Sequence, residues 1–154
     1  MFKLSTKTVI VTAVIIIGVV AIFAALARPL NEYEKSADGL TAYLGVTPAA
    51  IVKGRQTMHG GTSSGPHEYH INAAIFDTTN TTRVSDATVT TKVLGMGLLG
   101  QEARLEAMND ANATTHGGFF YLPSVAIYAI RLMIQRPGFQ QPVIFDFNYD
   151  HRRQ

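Results

Sequence analysis

The feature that most constrains this chain is an uninterrupted apolar segment near its N-terminus. Residues 8 to 27 read TVIVTAVIIIGVVAIFAALA and contain no charged side chain. About 20 such residues in an α-helix are long enough to cross the hydrocarbon core of a bilayer. The segment therefore predicts one N-terminal transmembrane helix, and it divides the chain into a membrane anchor, residues 1 to 27, and a water-soluble remainder.

The charges beside the apolar segment predict its orientation. Lys3 and Lys7 precede it, and the positive-inside rule keeps that flank in the cytoplasm. We therefore expect a helix in a bacterial inner membrane, with the C-terminal part in the periplasm. A cleaved secretory signal is the alternative, because Ala25-Leu26-Ala27 resembles a cleavage site. We favour a retained anchor because the apolar run is longer than the usual signal, and both interpretations export the rest of the chain.

The composition excludes several classes of function for the exported part. The chain has 13 Lys+Arg and 11 Asp+Glu. Because Lys3 and Lys7 supply the excess, residues 28 to 154 are electrically balanced. No basic stripe with interleaved aromatic residues is present, so we expect no nucleic-acid binding. The chain has no cysteine, which excludes disulfides, thiolate metal sites and cysteine nucleophiles.

Short runs of alternating polarity predict the fold of the exported part. Residues 28 to 39 form a polar tether, and residues 40 to 154 form one domain. An apolar residue at every second position indicates strands with one buried face. We expect strands at 40–46, 67–77, 87–94, 105–108, 119–122, 126–135 and 143–149, with a further strand at 50–53 and a turn of helix within 100–109. Such a series predicts an all-β, Ig-like antiparallel sandwich after the transmembrane helix. The expected core contains Tyr69, Ile71, Ile75, Val89, Val93, Tyr128, Ile130, Leu132, Phe145 and Phe147.

Histidine and methionine residues near loops supply the candidate chemistry. Imidazole together with thioether, in the absence of thiolate, is a ligand set that favours copper, and Cu(I) in particular. His67 and His70 are three residues apart, so a regular strand puts them on opposite faces, and we expect His70 to face solvent. Ordinary packing or solvated histidines are the competing interpretation. The preferred ligands are His67, Met108 and His116, and the auxiliary candidates are His59, Met58 and Glu68.

The C-terminal half of the chain resembles a known family. Leu105-Glu106-Ala107-Met108, a polar loop and then His116-Gly117-Gly118 precede a Tyr-x-Ile strand from Tyr128 and a Phe-x-Phe-x-Tyr strand from Phe145. This arrangement, over roughly residues 67 to 150, resembles the periplasmic iron-transport proteins whose Ig-like domains carry a copper site.

In that family a methionine, a loop histidine and a strand with His and Glu bind the metal. The resemblance implies that Met108, His116 and the pair His67-Glu68 fill these roles. The spacing from Met108 to His116 is one residue longer than in the family.

Catalytic motifs are not evident. Residues 95 to 100 (GMGLLG) match a glycine-rich dinucleotide pattern, but no helix of a βαβ unit follows them, so we assign them to a turn. No nucleophile–base or acid–base pair is apparent, and we predict neither catalytic residues nor an organic cofactor.

Two functions remain open. The first is a non-catalytic, membrane-anchored periplasmic domain that binds copper for storage, delivery or metal-uptake support. The second is an accessory subunit of a larger respiratory or photosynthetic membrane complex, which docks through its helix and its sandwich. Gly18 and the alanines of the apolar segment would permit close approach of other membrane-protein subunits.

Overall fold

Two antiparallel sheets make up the part of the chain that the structure describes. The computed structural model describes residues 32 to 52, 65 to 95, 100 to 110 and 113 to 153. Nine strands lie in these ranges, together with one helical turn, α1, and a C-terminal 3-10 turn at His151–Arg153. In chain order the elements are β1 (Glu34–Ala37), β2 (Leu40–Pro48), α1 (Ala49–Val52), β3 (Glu68–Asp77), β4 (Thr88–Leu94), β5 (Gln101–Arg104), β6 (Glu106–Asp110), β7 (Ala113–Tyr121), β8 (Ile127–Gln135) and β9 (Val143–Asp150).

The strands pair into a sandwich. The first sheet has the order β1-β2-β3-β7-β6, and the second has the order β5-β4-β8-β9. The chain changes sheet between β5 and β6 at Leu105, which is buried and whose backbone N–H donates to the carbonyl of Val89 at 2.8 Å. The predicted all-β antiparallel sandwich is therefore confirmed.

The inward faces of both sheets form one apolar core. Alternation along β8 and β9 puts every second side chain into it, as the sequence pattern predicts. Tyr69 is half-buried and packs against this cluster. The other predicted core residues are all buried: Ile71, Ile75, Val89, Val93, Tyr128, Ile130, Leu132, Phe145 and Phe147.

Four local predictions are wrong. Residues 49 to 52 form α1 instead of a strand, and residues 101 to 104 form β5 instead of a helical turn, whereas the strand expected at 105–108 is confirmed by β6. Residues 34 to 37 of the expected tether form β1, an exposed edge strand. Residues 113 to 116 of the expected polar loop belong to the first half of β7. The four segments lack apolar alternation, and in the three that form strands, pairing with a neighbouring strand determines the structure instead of the segment's own pattern.

The predicted transmembrane helix, residues 8 to 27, lies outside the described residues. Among those that are described, no helix is long and apolar enough to cross a membrane.

Polar contacts join the two sheets at one end of the sandwich. We call this the lower end; here β2 and β7 end, and β3 and β8 begin. The side-chain amide of Gln101 donates to the carbonyl of Tyr121 at 2.6 Å and accepts from its N–H at 2.9 Å. The Tyr69 hydroxyl donates to His151 Nε2 at 2.6 Å, and His151 Nδ1 donates to the Ser124 carbonyl at 2.8 Å. Both sheets therefore share a single lower end.

Candidate metal site

Three neighbouring strands of the first sheet bring His70, Gly117 and Met108 together. On β3 and β7, His70 pairs with Phe119 and Asn72 pairs with Gly117. On β6 and β7, Met108 pairs with Thr115. Because side chains alternate across a strand, His70, Met108 and the free face of Gly117 all lie on the outer face of the sheet, opposite the core residue Ile71.

Gly117 is the point over which the two donor side chains meet. A Cβ atom added at this position would lie 2.5 Å from Met108 Cε and 2.6 Å from His70 Nε2. Only a residue without a side chain leaves room for both groups. The imidazole and the end of the thioether chain therefore approach one small space above Gly117.

His70 is buried, although it lies on the outer face. Only 4% of the residue is exposed, and its ring lies 5.0 Å from that of Phe119, centroid to centroid. Its Nε2 atom is shielded from solvent. The prediction that His70 faces solvent is therefore wrong, because Phe119 and Met108 cover it.

His116 faces the opposite side of the sheet. Met108 pairs with Thr115, so the next residue, His116, points toward the interior and is 2% exposed. Its Nε2–H donates to the Ala87 carbonyl at 3.1 Å. Its Nδ1 is buried without a hydrogen-bond partner among the described residues. Burial lowers the pKa of His116, the charge of Arg104 lowers it further, and the bond to Ala87 opposes both.

A cleft beside His116 is lined by charges of both signs. Its volume is about 370 Å³. The positive charge of Arg104 repels a metal ion at the neighbouring imidazole, and the carboxylate of Glu106 attracts one. The structure does not bring His116 to the same place as Met108, because Thr115 is the strand partner of Met108 and His116, the next residue, lies on the opposite face. The cleft is lined by Ala87, Arg104, Leu105, Glu106, Ala107 and His116.

The other candidate ligands are dispersed. His67 is exposed, precedes β3 with a φ of 104°, and its ring is edge-on to Tyr121 at 6.0 Å. Glu68 is half-buried and begins β3 on the face that carries His70. His59 and Met58 lie outside the described residues. Within the described ranges, no three His, Asp or Glu side chains form a group that could hold a metal ion.

Sequence reasoning missed His70 as a donor. The available signal was the spacing of Glu68 and His70, since residues two apart on a strand share a face. The sequence alone does not show that Gly117 lies opposite this pair, because that depends on the register between β3 and β7.

The described residues define a two-sheet antiparallel sandwich that carries a His/Met pair on its outer face. No protein-family model matches the chain, and no curated protein matches its sequence.

Solved structures share the fold. The first is a copper-bound variant of FetP from uropathogenic Escherichia coli strain F11, with a TM-score of 0.61 and 10% identity over 75% of this chain and 91% of that one. The second is the copper-reconstituted P19 protein from Campylobacter jejuni, with a TM-score of 0.60 and 13% identity over the same shares. A third is a DUF4426 family protein from Pseudomonas aeruginosa, with a TM-score of 0.57 and 14% identity over 76% of this chain and 94% of that one. The resemblance inferred from the sequence agrees with these neighbours, and at such identities the likeness establishes the fold.

Proposed function

We propose that this protein is a non-catalytic, membrane-anchored domain that binds copper, with His70 and Met108 as ligands. The observation that carries the proposal is the convergence of their side chains over Gly117. Imidazole and thioether form a soft, neutral donor set that prefers Cu(I) to harder cations. Glu68 lies on the same face of β3 and is the nearest carboxylate in sequence to the pair.

The fold supports the same function. FetP and P19 are described as copper-bound or copper-reconstituted proteins, and this chain covers nine-tenths of each of them. We infer an Ig-like copper domain on the periplasmic side of a bacterial inner membrane, held by a helix at residues 8 to 27. Its role would be copper storage, copper delivery or support of metal uptake, because we identify no acid–base or nucleophilic pair for catalysis.

Competition for Cu(I) tests the proposal. The purified full chain is titrated against a coloured Cu(I) chelator under reducing conditions. We expect one bound copper in the wild type, and a loss of at least about tenfold in affinity, about 1.4 kcal/mol, in both His70→Ala and Met108→Leu.

A matched control is His116→Gln, which alters a histidine on the other face of the sheet and is expected to leave copper affinity unchanged. Absence of copper uptake in the wild type overturns the proposal. If His70→Ala binds copper as tightly as the wild type, the ligands named in the proposal are wrong.

The second function, an accessory subunit of a larger membrane complex, stays a prediction. Extraction in mild detergent followed by native size analysis tests it. A stoichiometric complex that co-migrates with the chain would support it, and migration as the lone chain would contradict it.

A further inference from the structure

The lower end of the sandwich carries most of the exposed large apolar side chains. The described residues include eight of these, and five lie at this end. Val125, in the connection between β7 and β8, is 74% exposed, and Ile51 of α1 is 69% exposed. The other three are Leu94 at the end of β4, Tyr121 at the end of β7 and Ile127 at the start of β8.

Such an end is suited to a lipid surface. Exposed aliphatic side chains are costly in water when they are concentrated in one region, and their concentration marks an interaction site. Aliphatic residues together with tyrosine are the side chains that favour the boundary between lipid headgroups and acyl chains. The upper end, where β3 and β8 end, has Phe139 in its turn. Each end also carries an ion pair, Arg136–Asp77 at the upper end and Arg152–Asp150 at the lower end, so the number of exposed apolar side chains is what distinguishes the lower end.

The direction of the chain entering β1 points to the same end. Glu34 pairs with Tyr43, and the Tyr33 carbonyl accepts from the backbone N–H of Leu44 at 2.8 Å. β1 therefore begins toward the lower end, because it runs antiparallel to β2 and Pro48 ends β2 there. The apolar residues 8 to 27 come before this strand in the sequence.

The length of the linker leaves little freedom. The five steps from residue 27 to residue 32 span at most about 18 Å when fully extended. An anchor in the bilayer would therefore keep residue 32, the first described residue, close to the membrane surface.

We propose that the lower end docks on the lipid headgroup layer, with Val125 and Ile127 as the side chains that enter it. The inference rests on the membrane anchoring proposed above and is independent of copper binding. Docking would fix the orientation of the sandwich relative to the bilayer, which a single flexible tether would not do.

Tryptophan reporters test the docking. The chain contains no tryptophan, so a single introduced one has no background. The full chain is prepared as Val125→Trp and, separately, as the control Phe139→Trp at the upper end. Both are reconstituted in phosphatidylcholine vesicles that carry a quenching group near the headgroups. We expect the Val125→Trp emission to fall severalfold on addition of the quenching lipid and the Phe139→Trp emission to stay unchanged.

The outcomes separate docking from anchoring. Flotation with the vesicles together with an unquenched Val125→Trp overturns docking and leaves the anchor in place, as does equal quenching at both positions. Failure to float with the vesicles removes the anchor and the docking with it. Tyr121→Trp, at the same end, is the second reporter if Val125→Trp does not fold, and copper titration of the same samples reports on the metal site separately.

Discussion

At the scale of single residues, Gly117 controls the candidate site without contributing a donor atom. Its missing side chain provides the space in which the His70 ring and the Met108 chain approach each other. A site of this kind depends as much on an absent side chain as on its ligands.

Gly117→Ala is the corresponding prediction. The new Cβ would displace both Met108 and His70, so we expect copper affinity to fall at least about tenfold while both ligands are retained. The same Cu(I) competition measures it. Gly118→Ala is the control, because its Cβ would lie 3.1 Å from Leu105 Cδ2 on the inner face and should lower stability instead of affinity. Equal copper affinity in the two alanine variants would contradict this role of Gly117.

His116 predicts a pH dependence of stability. Its pKa in the folded protein is lowered, mainly by burial, so the unfolded chain binds the proton more readily. The stability that His116 contributes is complete above the ordinary histidine pKa of about 6.5 and decreases as the pH falls toward the lower folded value.

Urea unfolding at pH 7.5 and pH 5 checks this prediction. We expect the wild type to lose more stability between the two values than His116→Gln, which retains an amide donor for the Ala87 carbonyl. An identical loss in both proteins would show that His116 does not titrate as its burial requires.

At the scale of elements, the β6–β7 hairpin decides which residue faces the metal site. Thr115 is the direct partner of Met108, and it occupies the outer face that His116 does not reach.

Thr115→His would add an imidazole beside the thioether. We expect copper affinity to rise at least about tenfold, measured by the same competition, and Thr114→His, one residue earlier, to give no gain. A Thr115→His variant without tighter binding would place the copper away from Met108.

Strands β8 and β9 of the second sheet were predictable because they alternate. In β8 and β9, apolar and polar residues follow each other without interruption, and the observed burial has the same period. β1, β5 and β6 have no such pattern. Each of them is an edge strand of its sheet, and cross-strand hydrogen bonds stabilise them more than side-chain burial does. A single sequence carries little signal for such strands.

The candidate site was only half predictable for a related reason. Met108 was identified from its chemistry, and it is one of the two converging donors. His116 was chosen because it is close to Met108 in sequence. The face that it occupies depends on the register of the hairpin, and a shift of one residue in register moves every side chain to the other face. His70 was rejected because the outer face was equated with solvent, although Phe119 covers it.

At the scale of the whole molecule, the C-terminal turn links the two sheets. His151 accepts from Tyr69 of β3, donates to the Ser124 carbonyl, and stacks on Tyr149 at 6.0 Å between ring centroids. His151 is 9% exposed. If its ring were removed, the Tyr69 hydroxyl and the Ser124 carbonyl would each lose a hydrogen-bond partner and would have limited access to water.

His151→Ala is therefore expected to lower the free energy of unfolding by about 1 to 3 kcal/mol. Chemical denaturation of the two proteins measures the difference. Arg152→Ala is the control, since Arg152 is exposed and forms its ion pair with Asp150, two residues earlier, and it should change stability little. Equal effects of the two substitutions would mean that His151 does not hold the sheets together.

His116 lies one position beyond Thr115, the strand partner of Met108, and this offset has an evolutionary consequence. A deletion of one residue between them would turn a histidine from the interior cleft to the metal face, and the reverse insertion would remove it, with no ligand ever mutated. Metal affinity in such sandwiches can thus be gained or lost through changes in hairpin length. Relatives compared by ligand identity alone would then be assigned to the wrong function, whereas a comparison of strand pairing would separate them.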